Sequence, residues 1–301
     1  MAIEKNGPRG VEPERSGADA LRHDVQTLAG TIGERNVWRP AALALAATYI
    51  ANRFCSAGLD VRAQTYEAAG QRVENIEAVL PGTSKGQEAV VVGAHYDSVR
   101  GSPGANDNAT GVAAVLELGR RLAGRPHPRT VRFVAFVNEE PPFFQTPLMG
   151  SLVYARAARE RGDRVVAMLS LETMGYYSDA RNSQKYPAPI ANLYPDTGDF
   201  IGFVSNLQSA RLLLRTRRAF RARTSFPFRS AAVPASIPGV GWSDHWSFWQ
   251  AGYPAVMVTD TAPYRYPWYH TAHDTPDKIS FDRLAQDVDG LENVVTVLAG
   301  G

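Results

Sequence analysis

Two adjacent glutamates, Glu139 and Glu140, close the apolar run of TVRFVAFVNEE. Neighbouring carboxylates at the end of an apolar strand repel each other unless something positive lies between them. Other ligand-type residues occupy similar places. His95 and Asp97 follow the apolar run of AVVVGAHYD, Asp107 lies in GANDNATG, Glu172 closes VVAMLSLE, and His270 lies in YHTAHDT. Imidazole and carboxylate without thiolate suit a borderline divalent cation such as zinc, and also cobalt or manganese. A single zinc takes about three protein ligands and a water. Five ligand-type residues beside one glutamate kept as a base fit two cations sharing a carboxylate. Adjacent glutamates point in different directions, so one can bind metal while its neighbour faces the water. His95 and Asp97, two apart, can share one side of a strand, and Asp97 would orient the imidazole.

Each residue alone has a plainer explanation. Asp107 followed by Asn108 reads as a helix start, and a lone histidine at a strand end is usually just a hydrogen-bonded polar residue. Their joint occurrence at the ends of different strands is what points to a metal site.

The elements that must position these residues follow from periodicity. Residues 38–58 show helical spacing, and Gly58 is a natural stop. VRAQTYEA and RVENIEAVLPG read as strands. EAVVVGAHYD reads as a strand buried on both faces. NDNATGVAAVLELGRRLAG starts and continues a helix, TVRFVAFVNEE is a strand, GSLVYARAARERG a helix and VVAMLSLETMG a strand. This alternation predicts parallel pairing, with polar residues gathered where the strands end. Residues 1–20 read as a flexible leader and 21–301 as one catalytic domain. Residues 176–240 read as an insertion over that domain, because sheet rhythm returns at YPAVMVTDT.

The net charge is +2 in 301 residues, which argues against nucleic-acid or membrane partners. The basic helix SARLLLRTRRAFRART carries six arginines and reads as a solvated face. Cys55 stands alone, so neither an internal disulfide nor a cysteine metal cluster can form; it reads as a buried structural thiol. No signal-like or bilayer-length apolar run occurs. As written the chain is expected in the cytoplasm, with a trimmed export signal left open.

At these residues the chain resembles the M28 family of metallo-aminopeptidases, the co-catalytic zinc exopeptidases. VVVGAHYDS, GANDNATGVAAVLELGR, VRFVAFVNEE, MGSLVYA, LETMGYY, GWSDHWSFWQAGYPAVMVTDT and YHTAHDTPDKI carry the likeness over roughly residues 38–299. The resemblance implies a three-layer α/β/α fold around a mixed, mostly parallel sheet. It implies that Asp107 bridges two metals, with His95 and Glu172 on one and Glu140 and His270 on the other. Glu139 would be the general base, and the Asp107-Asn108 peptide would be cis. The expected reaction is hydrolysis of the N-terminal peptide bond of a substrate with a free α-amine. Glu172 stands where many members have Asp. Trp242 precedes Ser-Asp-His where some have a tyrosine serving the oxyanion. His245 would touch substrate or pack beneath the loop, and His273 would sit on the rim. Tyr176, Tyr177, Phe200, Phe226 and Phe228 would wall an apolar substrate pocket. Two alternatives share the fold: a one-zinc glutaminyl-cyclase-like transferase, and a non-catalytic binding module. Metal stoichiometry separates the first, and loss of metal binding would mark the second.

Overall fold

The computed structural model describes residues 17–187 and 194–301. Eight strands form one mixed sheet. They are β1 Asp60–Ala68, β2 Gln71–Leu80, β3 Lys85–His95, β4 Arg129–Phe136, β5 Arg164–Glu172, β6 Ile201–Ser205, β7 Phe228–Ala232 and β8 Ala255–Thr259. Their order across the sheet is β1-β2-β4-β3-β5-β8-β6-β7. The four central strands, β4, β3, β5 and β8, are mutually parallel. Their carboxyl ends therefore share one edge of the sheet, where open α/β sheets place their sites.

Side-chain alternation on these strands feeds two cores. Val90, Val92 and Ala94 of β3, with Val131, Phe133 and Ala135 of β4, face one side. There they meet helices α1 Gly17–Val25, α2 Pro40–Ser56, α3 Thr110–Leu122, α5 Ala210–Arg223 and α8 Phe281–Leu298. Val91, Val134 and Phe136 face the other side, against α4 Gly150–Glu160 and α6 His245–Gln250. A short helix, α7 Ala262–Arg265, follows β8. The result is the expected three-layer arrangement, with strands buried on both faces.

Three expectations change. The leader was expected over residues 1–20, yet α1 begins at Gly17; residues 1–16 lie outside the described residues. Residues 176–240 do not lie over a finished sheet: β6 and β7 extend the sheet itself, pairing outward from β8. The prolines around Phe228 hid β7, a strand of only five residues at the edge. Cys55 is exposed on α2, not buried. No helix among the described residues is long and apolar enough to cross a membrane.

Candidate metal centre

The sheet delivers the ligand-type residues one by one. β3 ends on His95 and β5 ends on Glu172. Glu139 and Glu140 follow β4 by three and four residues, and His270 follows β8 on a longer loop. Asp107 sits in the tight loop between β3 and α3. Gly104 makes that loop possible: its φ is +62°, and a Cβ there would stand 2.4 Å from the Asp107 carbonyl oxygen. The Asp107-Asn108 peptide is cis, as the resemblance implied.

These residues form two clusters joined at Asp107. Asp107 Oδ1 lies 3.3 Å from His95 Nε2, and Glu172 Oε2 lies 3.4 Å from the same nitrogen. Asp107 Oδ2 lies 3.1 Å from His270 Nε2, and Glu140 Oε2 lies 3.3 Å from that nitrogen. Each triad places one ligand atom per residue within 4.8 Å of the others. Glu139 Oε2 stands farther off, 3.9 Å from His95 Nε2.

Electrostatics show what the clusters lack. Burial opposes a charge on His95, yet Glu172, Glu139 and Asp107 drive its pKa well above the usual value. Burial likewise opposes charge on His270, but Asp107 and Glu140 raise it to about 10. Burial raises Glu140 to about 7, with Asp107 adding to the shift, and raises Glu139 well above the carboxylate range. Asp107 is held low, against its burial, by the two imidazoles. Four buried carboxylates and two imidazoles, one of them buried, are short of positive charge. A divalent cation at each triad would supply it.

The His95 ring fits that role. Its Nδ1 faces the Asp97 carbonyl at 3.2 Å, and its buried Nε2 has no hydrogen-bond partner. An Nδ1–H donated there leaves the Nε2 lone pair for a metal. Asp97 does more than orient the ring. Its carboxylate accepts the backbone N–H groups of Glu139 and Glu140, both at 3.2 Å, and so fixes the turn that splays the two side chains. Glu172 accepts from Ser243 Oγ at 2.7 Å, and Glu140 Oε1 from the Val99 N–H at 3.1 Å.

An open cavity adjoins the clusters at Glu172 and Tyr269. Its walls include Tyr186, Tyr194, Phe200, Phe203, Val240, Met257 and Tyr264, with Trp242 at the edge. Of the five aromatics expected to wall it, only Phe200 does. Tyr176 packs on Tyr266 and Trp268, Tyr177 on Phe226, and Phe228 on Phe203 and Phe220. Trp242 is 46% exposed, a wall residue of this cavity. His245 is not among the residues that wall this cavity. It is fully buried, its Nε2 lies 2.7 Å from the Val240 carbonyl, and its ring stacks edge-on against Trp249. Burial lowers its pKa to about 4, so it is the neutral packing residue beneath the loop. His273 is exposed and belongs to neither triad.

Several supporting residues escaped the sequence reading. Asp274 accepts the N–H groups of Asn106 and Asp107, and Asn106 donates its side-chain amide to Asp260. Asp274 lies within YHTAHDT, where the ligand signal rests on the histidines. Asn106 and Asn108 flank Asp107 in a stretch that reads simply as a helix start.

The model of "Peptidase family M28" matches residues 75–292. The chain belongs to peptidase family M28. It is 39% identical over 300 residues to the uncharacterized protein YfbL of Escherichia coli K12, spanning 97% of this chain and 89% of that one. It is 30% identical over 221 residues to aminopeptidase YwaD of Bacillus subtilis, spanning 72% of this chain but only 42% of YwaD. Among solved structures, the zinc aminopeptidase BSAP of Bacillus subtilis superposes with a TM-score of 0.76 at 18% identity, covering 93% of this chain and 95% of that one. A glutaminyl cyclase from Fimbriiglobus ruber shares the fold as well, with a TM-score of 0.67 at 20% identity over 96% and 99% of the two chains. The M28 peptidase fold is thus established for this hydrolase.

Proposed function

We propose that the protein is an aminopeptidase that removes large apolar residues from the free N-terminus of peptides with the help of two zinc ions. The observation that carries this reading is Asp107, whose two oxygens each face a different imidazole within a different triad. His95 and Glu172 would hold one ion, Glu140 and His270 the other, with Asp107 shared. Bound there, the pair supplies Lewis acidity and an acidified water. Glu139 does the proton work. Its carboxylate stands beside the clusters without joining either, and its raised pKa suits a group that takes a proton from the attacking water and hands it to the leaving amine. The apolar cavity beside Glu172 receives the side chain of the first residue, which sets the size preference.

A panel of aminoacyl p-nitroanilides on metal-analysed protein tests the proposal. Leucyl and phenylalanyl substrates should be cleaved, and N-acetylated ones should not. Cleavage indifferent to acetylation would refute the exopeptidase reading. The cyclase fold supports one competing reading, in which a single zinc suffices and N-terminal glutaminyl peptides are cyclised. The second triad at Glu140 and His270 favours the peptidase.

A further inference from the structure

We propose that Arg35 is a positioning residue of the metal centre, a buried planar fork that ties the end of β3 to the Asp107 loop and so fixes how Asp107 straddles the two triads. The inference rests on the metal reading above. Arg35 precedes the stretch 75–292 that the family model matches, and it lies in a loop between α1 and α2.

The side chain is fully buried. Its Nε donates to the Tyr96 carbonyl at 2.6 Å, next to His95. Its Nη1 donates to the Pro103 carbonyl at 2.5 Å, and its Nη2 to the Gly104 carbonyl at 2.8 Å, just before Asp107. Nη1 also reaches Gly33 and Leu28 carbonyls at 3.2 and 3.4 Å. Its own backbone is tied to the same stretch: the Arg35 N–H donates to Ser98 Oγ at 3.2 Å, and the Ser98 N–H to the Arg35 carbonyl at 2.9 Å.

All of these acceptors are neutral. Among the described residues no carboxylate comes within ion-pair distance of Arg35. A buried guanidinium with no carboxylate in contact is costly unless its surroundings are organised around it. Burial lowers the Arg35 pKa to about 10, while the carboxylates of Asp97, Asp274, Asp107 and Glu140 oppose the fall. It therefore stays charged at neutral pH, in the field of acidic residues that include the triad members Asp107 and Glu140.

The grip on the loop is two-sided. Arg35 holds the carbonyls of Pro103 and Gly104, and Asp274 holds the N–H groups of Asn106 and Asp107 at 2.8 and 3.1 Å. Cation on carbonyls and anion on amides leave the backbone at Asp107 little freedom. Only arginine suits this position. Its donors lie in one plane and point in several directions, whereas lysine offers one compact ammonium.

Zinc affinity of the full-length protein, measured by chelator competition alongside circular dichroism and thermal unfolding, tests the idea. Residues that orient metal ligands typically cost about 10–100-fold in affinity when changed. Arg35→Lys keeps the charge but loses the fork, and it should weaken zinc binding in that range while the protein remains folded. Ser98→Ala removes one anchor of the Arg35 backbone and should weaken it by about three- to tenfold. Asp24→Asn is the control. Asp24 is fully buried and pairs with Arg53 and Tyr49 away from the triads, so its loss should lower thermal stability without moving zinc affinity. A folded Arg35→Lys protein with parental affinity overturns the proposal. So does an Asp24→Asn protein that loses affinity as much as Arg35→Lys. If Arg35→Lys does not fold, Ser98→Ala decides, and parental affinity in that variant overturns the proposal too. A parent protein that binds no zinc would instead sink the metal reading beneath it.

Discussion

Glu139→Gln separates the proton work from metal holding. Glutamine has the same shape but cannot take up a proton at neutral pH. Glu139 is 6% exposed, and burial first, then the charges of Glu172, Glu140 and Asp244, push its pKa well above the usual range against the pull of His95. A carboxyl whose pKa is raised in the folded state penalises folding wherever the unfolded group would be ionised, which includes neutral pH. Replacing it with a neutral amide removes that penalty. The metal-free variant should therefore be at least as stable as the parent. Glu139 stands outside both triads, so zinc content should not change. Loss of a positioned general base costs about 10²–10⁴ in rate, or about 2.7–5.4 kcal/mol of barrier. The assay is kcat on leucyl p-nitroanilide, with zinc content and thermal midpoint recorded on the same samples. A variant with full zinc and kcat within about tenfold of the parent would refute the assignment of Glu139 as base.

Two further predictions concern residues that the structure reassigns. Trp242→Phe should lower kcat by less than about tenfold and chiefly raise KM for large side chains, because Trp242 walls the cavity; a loss of about 10²–10³ in kcat would make its indole N–H an oxyanion donor. His245 has its pKa lowered to about 4 in the folded protein, against 6.5 in its ordinary state. The unfolded chain takes up that proton first as pH falls from 6.5 to 4, so stability drops across this window, by at most about 3 kcal/mol from this group. His245→Gln keeps an amide donor for the Val240 carbonyl and should flatten that part of the profile in urea unfolding at pH 7 and pH 4.5. An unchanged slope would show that His245 is not the buried neutral group described.

Much of the centre was legible because the chemistry sits at strand ends. His95, Glu172 and the Glu139-Glu140 pair each close an apolar run, and the four central strands are parallel, so periodicity alone brings them to one edge. The pairing of Asp107 with two different imidazoles was not legible from spacing; it came with the family resemblance. What escaped the sequence shares one physical cause. Arg35, Asp274 and Asn106 act on backbone N–H and carbonyl groups of distant loops, and such contacts leave no periodic trace. The cavity wall was misread for a related reason. Aromatics in irregular sequence pack on each other as readily as they line a pocket, as Tyr177 with Phe226 and Phe228 with Phe220 do. β7 was missed because five residues flanked by prolines carry too little alternation to read as a strand.

The central claim is that Asp107 joins two metal sites that together support hydrolysis. Adding zinc to the metal-free protein while recording bound metal and leucyl p-nitroanilide turnover tests it directly. Full activity should arrive only with the second zinc per chain, and Asp107→Asn should weaken both sites together. Full activity at one zinc per chain, with the second site empty or irrelevant, would contradict it.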